Sequence, residues 1–212
     1  MSYTRLEFVE KYGGYISNAV KGTGLLQGTV IAQGIIESQG RVADGSNEVG
    51  ASKLARNSNN FFGIKCHNWG GKGYNIDTGE VAKDGSLYVD KNACFRKYDS
   101  VEDSIDDYVK FLKDNPRYEN AGVFQAQTVR EQAEALKRAG YATNPDYPSM
   151  IEGVYNGVKD YADKFNTYGI EGVTKSFINS PTGFLKRNKY IIGVSVTLLI
   201  GSGVGTYYLL KK

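Results

Sequence analysis

The sequence predicts a mainly α, α+β fold with a small β-hairpin and one C-terminal transmembrane helix, on three observations. Thr4-Arg-Leu-Glu7, Ser100-Val-Glu-Asp103 and Thr128-x-x-Glu131 each set a hydroxyl three residues ahead of a carboxylate, the reciprocal cap of a helix N-terminus. The stretch from Tyr74 to Tyr98 is rich in Tyr, Val and Phe and is broken by Asp84-Gly85 and Lys91-Asn92, which reads as an antiparallel hairpin or meander. Residues 190–210 (YIIGVSVTLLIGSGVGTYYLL) carry no charge, and 21 helical residues reach about 31 Å, one bilayer core.

A first helix follows the Thr4 cap to about Tyr12, where Gly13-Gly14 is expected to stop it, and Gly22 to Gly24 breaks the chain again. From Leu25 to Ser38, the residues Leu26, Val30, Ile31, Ile35 and Ile36 share one helix face, with Gly40 as the stop. Gln39 to Gly50 reads as a long polar loop, Ala51 to Ser58 as a short helix, and Asn59 to Lys65 as a turn back. Strands are expected at 74–78, 86–90 and 93–98. The Ser100 cap starts a helix with Val101, Ile105, Tyr108, Val109 and Leu112 on its face, ended by Asn115-Pro116. A further helix runs from the Thr128 cap through Arg138 and is closed by Gly140. Pro148 opens the next, carrying Met150, Ile151, Val154, Tyr155, Val158 and Tyr161.

The domain is expected over 1–165, a Gly/Ser/Pro-rich tether over 166–189 and the membrane helix over 190–210. Lys186, Arg187 and Lys189 flank that helix on one side and Lys211 and Lys212 on the other, with Tyr190, Tyr207 and Tyr208 at the interfaces. Gly193, Thr197, Gly201 and Gly205 form a small-residue stripe suited to self-association in a lipid bilayer.

Composition narrows the function. A net charge of +3 without any block of Lys and Arg interleaved with aromatics excludes nucleic acid as a partner. A single histidine excludes a two-His zinc site, and no metal or cofactor is expected. Cys66 and Cys94 form either a disulfide or two buried free thiols, and both readings stand. The N-terminal MSYTRLEFVEKYGG lacks the apolar core of a signal peptide. Sixteen tyrosines supply packing and, as a group, ring faces able to stack on sugars.

Glu37 closes the apolar helix that begins at Leu25. The negative end of the helix dipole and apolar neighbours both disfavour its ionised form, and a carboxyl kept protonated near neutrality is what a general acid requires. Glu37-Ser38 after Ile31-Ala32-Gln33, then Ser52-x-Leu54-Ala55 and Asn59-Asn60-x-Phe62-Gly63-Ile64-Lys65, resemble the peptidoglycan N-acetylglucosaminidases of glycoside hydrolase family 73, the flagellar and autolysin type. Phe95 to Ser100 and Gly140-Tyr141-Ala142-Thr143-Asn144-Pro145-Asp146-Tyr147 extend the resemblance, with Asn144 where that family has Asp and a longer loop at Gln39 to Gly50.

The resemblance covers roughly residues 3 to 165 and implies a lysozyme-like domain of two lobes, the smaller a β-hairpin. It implies hydrolysis of the β-1,4 bond after N-acetylglucosamine in peptidoglycan strands, with Glu37 as the acid. Glu80 matches the family's second acidic residue in the hairpin, ahead of nearby Asp77, and Tyr141 matches its active-site tyrosine. Asn60, Phe62, Trp69, Tyr74 and Tyr147 are assigned to substrate binding on the same basis. The competing expectation is an inactive glycan-binding domain held at a membrane. A C-terminal anchor without a leader tends to leave the domain on the cytoplasmic side, so delivery to the wall is expected either through the span itself or in a phage virion, where such enzymes also occur.

Overall fold

Helix α1 (Arg5–Val20) opens the computed structural model, which describes residues 2–81, 86–179, 196–200 and 203–207. Thr4 Oγ1 accepts the Glu7 N–H at 3.2 Å and the Glu7 carboxylate accepts the Thr4 N–H at 2.8 Å, the reciprocal cap expected there. The helix runs through Gly13-Gly14 rather than stopping at Tyr12. The cause is tertiary. Gly13 is buried and its carbonyl accepts the Gln27 side-chain N–H at 3.0 Å, so packing on the next helix outweighs the roughly 1 kcal/mol that a glycine costs a helix.

α2 (Gln27–Ser38) is buried at every residue from Gln27 to Ile35 and is the helix around which the others gather. Phe8 and Ile16 of α1 pack with Ile31 and Ile35 of α2 in one core. The expected loop after it is a hairpin of two short strands, β1 (Gly40–Arg41) and β2 (Asn47–Glu48), turning at Asp44-Gly45. Its ends are tied: Ser38 O accepts the Ser52 N–H and Ser38 Oγ the Gly50 N–H, both at 3.0 Å. Gly40 permits this closure, since a Cβ there would lie 2.6 Å from the Ala51 backbone.

α3 (Lys53–Ser58) is capped by Ser52. β3 (Gly73–Val81) and β4 (Leu87–Arg96) form one two-stranded antiparallel sheet. Lys91-Asn92 is a bulge and not a turn, which removes the meander: the register passes from Ile76↔Ala93 to Thr78↔Asp90, leaving one extra residue on β4. Asn92 takes φ +59° and its N–H bonds Asp77 Oδ1 at 2.9 Å. The turn expected at Asp84-Gly85 lies outside the described residues. Cys66 and Cys94 form a disulfide with Cα atoms 5.4 Å apart, closing the choice between disulfide and free thiols.

α4 (Val101–Asp114) and α6 (Val129–Arg138) carry the other two capping boxes, and α5 (Pro116–Asn120) with a 3-10 turn (Val123–Gln125) joins them. Ile105, Leu112, Leu136 and Ile151 complete the core. The first compact unit is Met1–Gly172 and the second Val173–Lys212.

One expectation for the C-terminal part changes, that of a transmembrane helix. α7 (Tyr147–Asn179) continues as helix through 166–179, the first part of the expected tether, for which some helix was left open; no proline interrupts the sequence between Pro148 and Pro181. Within 190–210 the described residues form strands β5 (Val196–Ile200) and β6 (Gly203–Tyr207), paired from Val196↔Tyr207 to Ile200↔Gly203, in place of a transmembrane helix. Val, Thr, Ile and Tyr favour strands. No helix among the described residues is long and apolar enough to cross a membrane. Thr197 and Gly205 of the small-residue stripe lie in these strands, while Gly193, Gly201 and the flanking basic residues lie outside the described residues.

Candidate active site

Glu37 stands on the last turn of α2, where its carboxyl is pushed up from 4.5 to about 7 by burial. An acid with this value keeps its proton through mildly acidic and near-neutral conditions. Its neighbours are phenols. Tyr108, Tyr141 and Tyr147 are all held well above the ordinary tyrosine range, first by burial and in each case also by the Glu37 charge.

Local structure explains how Tyr141 arrives there. Gly140 takes φ +78° past the end of α6, its N–H bonds Lys137 O at 2.9 Å, and the Tyr141 N–H bonds Leu136 O at 3.0 Å. These two bonds make the glycine-terminated helix end that turns the next residue inward. The Tyr141 hydroxyl then donates to Phe62 O at 2.8 Å. Asn144 keeps the following turn: its side chain accepts the Asp146 N–H at 2.8 Å and its carbonyl the Tyr147 N–H at 3.2 Å, delivering Tyr147 to the start of α7.

The Asn59-to-Lys65 run is a brace. Asn59 Nδ2 bonds Tyr98 O and Asp99 O, each at 3.1 Å. Asn60 is 0% exposed; its Nδ2 bonds Ile64 O and Arg96 O at 2.9 Å, and its Oδ1 accepts the Ile64 N–H at 3.1 Å. The amide expected to meet substrate is therefore spent on backbone. Phe62 is 2% exposed and stacks on Tyr108 at 4.2 Å, so it serves the site through its carbonyl rather than its ring. Tyr147 is likewise buried, with its hydroxyl accepting from Gln33 Nε2 at 2.7 Å.

The hairpin side is organised separately. Arg96 Nη1 bonds both oxygens of Asp107 at 2.9 and 2.8 Å, Tyr98 donates to the same carboxylate at 2.6 Å, and the Trp69 ring lies 4.7 Å from the guanidinium. Trp69 Nε1 donates to Lys72 O at 3.0 Å, and half-buried Tyr74 accepts from Asn57 at 3.2 Å. Glu80 is paired with Tyr88, six residues beyond Tyr74 and so about 20 Å further along β3.

The structure thus gathers Glu37, Tyr141 and Tyr147, sets Trp69 and Tyr74 at the foot of the hairpin, and leaves Glu80 toward its far end. Sequence reasoning missed Gln33, Tyr108 and Tyr118. Gln33 had a signal, being four residues before Glu37 and hence on its face of α2. Tyr108 had been counted as a core position, which it is; Tyr118, whose ring packs 6.4 Å from that of Tyr141, had no local signal.

Comparison with known proteins bears on the family and the fold. The glucosaminidase family described as mannosyl-glycoprotein endo-beta-N-acetylglucosaminidase matches residues 13–160. The chain is 31% identical over 188 residues to peptidoglycan hydrolase FlgJ of Vibrio cholerae, 88% of this chain and 49% of that protein. It is 34% identical over 108 residues to the exo-glucosaminidase LytG of Bacillus subtilis, 50% of this chain and 37% of that one. It therefore spans about half or less of these relatives. A peptidoglycan hydrolase mutant from Sphingomonas sp. A1 shares the fold with a TM-score of 0.59 at 29% identity, over 74% of this chain and 97% of that one. The catalytic domain of the autolysin Auto from Listeria monocytogenes does so with 0.56 at 26%, over 74% and 84%. With most of its length matched from residue 13 to residue 160 and a lysozyme-like, mainly helical fold, the chain belongs to the glucosaminidase family of glycosidases.

Proposed function

We propose that this protein hydrolyses peptidoglycan, cutting the β-1,4 bond after N-acetylglucosamine with Glu37 as the general acid. The observation that carries the reading is Glu37 itself, a carboxyl pushed to about 7 by burial at the end of α2. A module that only bound glycan would have no use for a desolvated acid, whose burial costs stability once it ionises. The names of the relatives, peptidoglycan hydrolases and an exo-glucosaminidase, point to the same substrate.

In this mechanism Glu37 gives its proton to the glycosidic oxygen as the bond to the anomeric carbon breaks. The developing positive charge is met either by the substrate's own acetamido oxygen or by a water that loses its proton to Glu80. Glu80 is the better second acid than Asp77, whose Oδ1 already holds the bulge at Asn92. Trp69 and Tyr74 supply aromatic faces for neighbouring sugars. The test is release of new reducing ends from insoluble peptidoglycan by the purified protein. Glu80→Gln should lower the rate and Asp77→Asn should leave it nearly unchanged; the reverse order would exchange their roles.

The disulfide fits work in an oxidising compartment, at the cell wall. Two finer readings belong here. The uncharged 190–210 segment attaches the protein to a bilayer, which sedimentation with membranes after a high-salt wash would test. Carriage in a phage virion is the proposed route to the wall, and mass spectrometry of purified particles lacking the protein would remove it.

A further inference from the structure

The β3–β4 hairpin has two faces, and bonds from both strands show which one turns to the helical body. The extra residue of the bulge sits on β4, so the alternation of β3 stays in phase: half-buried Tyr74, Ile76 and Thr78 share one face, and exposed Asn75, Asp77 and Gly79 the other. On the first face the Tyr74 hydroxyl accepts from Asn57 Nδ2 of α3 at 3.2 Å. Directly across from Tyr74 and Ile76, Phe95 and Ala93 are buried. Beyond the bulge Asp90 pairs with Thr78, and its Oδ2 accepts from Lys65 Nζ at 3.2 Å. This inner face is thus tied to α3 near its foot and to the Asn59-to-Lys65 brace at Asp90. Tyr88 continues it: two residues before Asp90, about 7 Å further from the foot, it pairs with Glu80 in the register. Phe95 on the same face is covered, whereas Tyr88 is 50% exposed.

We infer that Tyr88 is a substrate-binding residue, its ring stacking on a pyranose of the glycan strand where that strand passes between the hairpin and the helical body. The role rests on peptidoglycan glycan being the substrate. Past the Lys65–Asp90 tie, the inner face presents an open aromatic ring on the side of the body, beside the register position of Glu80. A tyrosine suits a sugar there, because the ring face takes the C–H side of a pyranose while the hydroxyl bonds its polar rim. A ring stacked on a sugar makes the same contact before and during bond cleavage, so it lowers KM and leaves kcat unchanged. Val89, on the outer face opposite Gly79, is also exposed and takes no part in this contact.

Reducing-end release by the full chain from peptide-free strands of β-1,4-linked N-acetylglucosamine and N-acetylmuramic acid tests this. Tyr88→Ala should raise KM about 10-fold and keep kcat within about 2-fold, while Tyr88→Phe, which keeps the ring face, should stay close to the unchanged protein. Val89→Ala should move neither constant. Tyr88→Thr also removes the ring but keeps a strand-forming residue, and it should give the same rise in KM if Tyr88→Ala disturbs the hairpin. An unmoved KM without the ring, a Tyr88→Phe as weak as Tyr88→Ala, or an equal rise in Val89→Ala would overturn the role of Tyr88. Calorimetric titration with the same strands separates it from the hydrolase reading. A chain that releases no reducing ends but binds the strands, about 10-fold more weakly as Tyr88→Ala, loses the hydrolase reading and keeps Tyr88 as a binding residue. A chain that cuts the strands with the same KM in Tyr88→Ala and Tyr88→Thr loses only the role of Tyr88.

Discussion

Glu37 rides on a helix buried along its length, whereas Glu80 rides on a strand that pairs with one neighbour and meets it near the exposed Tyr88 and Val89. The charge of the first carboxyl is felt by buried phenols on three elements. The hairpin bearing the second is fastened at its foot, by the Cys66–Cys94 disulfide and by the Arg96–Asp107 pair, whose side chains are only 14% and 12% exposed. The difference assigns separate tasks. Rigid burial sets the proton affinity of Glu37, and under the proposed mechanism a lobe anchored at one end would present Glu80 to the glycan.

Changes at each region should separate these tasks. The largest effect is Glu37→Gln, expected to lower reducing-end release by roughly 10² to 10⁴-fold while leaving the fold intact by circular dichroism. Next is Asp107→Ala, which strands the buried Arg96 guanidinium and should cost about 3–5 kcal/mol in denaturant unfolding, without moving the pH at which Glu37 titrates. Replacing Cys66 and Cys94 by Ser should cost about 2–4 kcal/mol by the same measurement, since the bridge closes a separation of 28 residues. If either hairpin variant displaced the Glu37 titration, the two regions would not be separate.

Smaller effects sharpen the acid side. Because the folded value for Glu37 lies above its ordinary 4.5, the unfolded chain loses this proton first, and the native state loses stability as pH rises from 4.5 through about 7. Glu37→Gln should therefore raise Tm little at pH 4 and progressively more up to pH 7.5, which calorimetry reads directly. Tyr141→Phe, losing the bond to Phe62 O, should cost about 1 kcal/mol and slow hydrolysis.

Much of this arrangement was readable in advance, for identifiable reasons. The caps at Thr4, Ser100 and Thr128 are local chemistry, and α2 announces itself by its apolar face. The extension of α1 over Gly13-Gly14 depends on a bond from Gln27, fourteen residues on, which no local rule contains. Strands β1 and β2 hold two residues each, too few to show alternation, although Asp44-Gly45 marked their turn. Lys91-Asn92 resembled a turn because a bulge also asks for a positive φ. In the candidate site, Glu37 and Tyr141 stood out by motif, but the fate of Asn60 and Phe62 could not be read that way. Their motif is a backbone brace, and residues held in a pattern by structure look the same in sequence as residues held there by substrate. The 190–210 segment was read by its lack of charge, a property that apolar strands share with apolar helices.

Burial at the end of α2 keeps Glu37 protonated near neutral pH, and everything proposed for this acid depends on it. A carbon-detected NMR titration of the Glu37 side-chain carboxyl, assigned with the Glu37→Gln variant, measures it without substrate. The expected midpoint is near 7, whereas a midpoint near 4.5 would show an ordinary solvated carboxylate and contradict the burial of this acid.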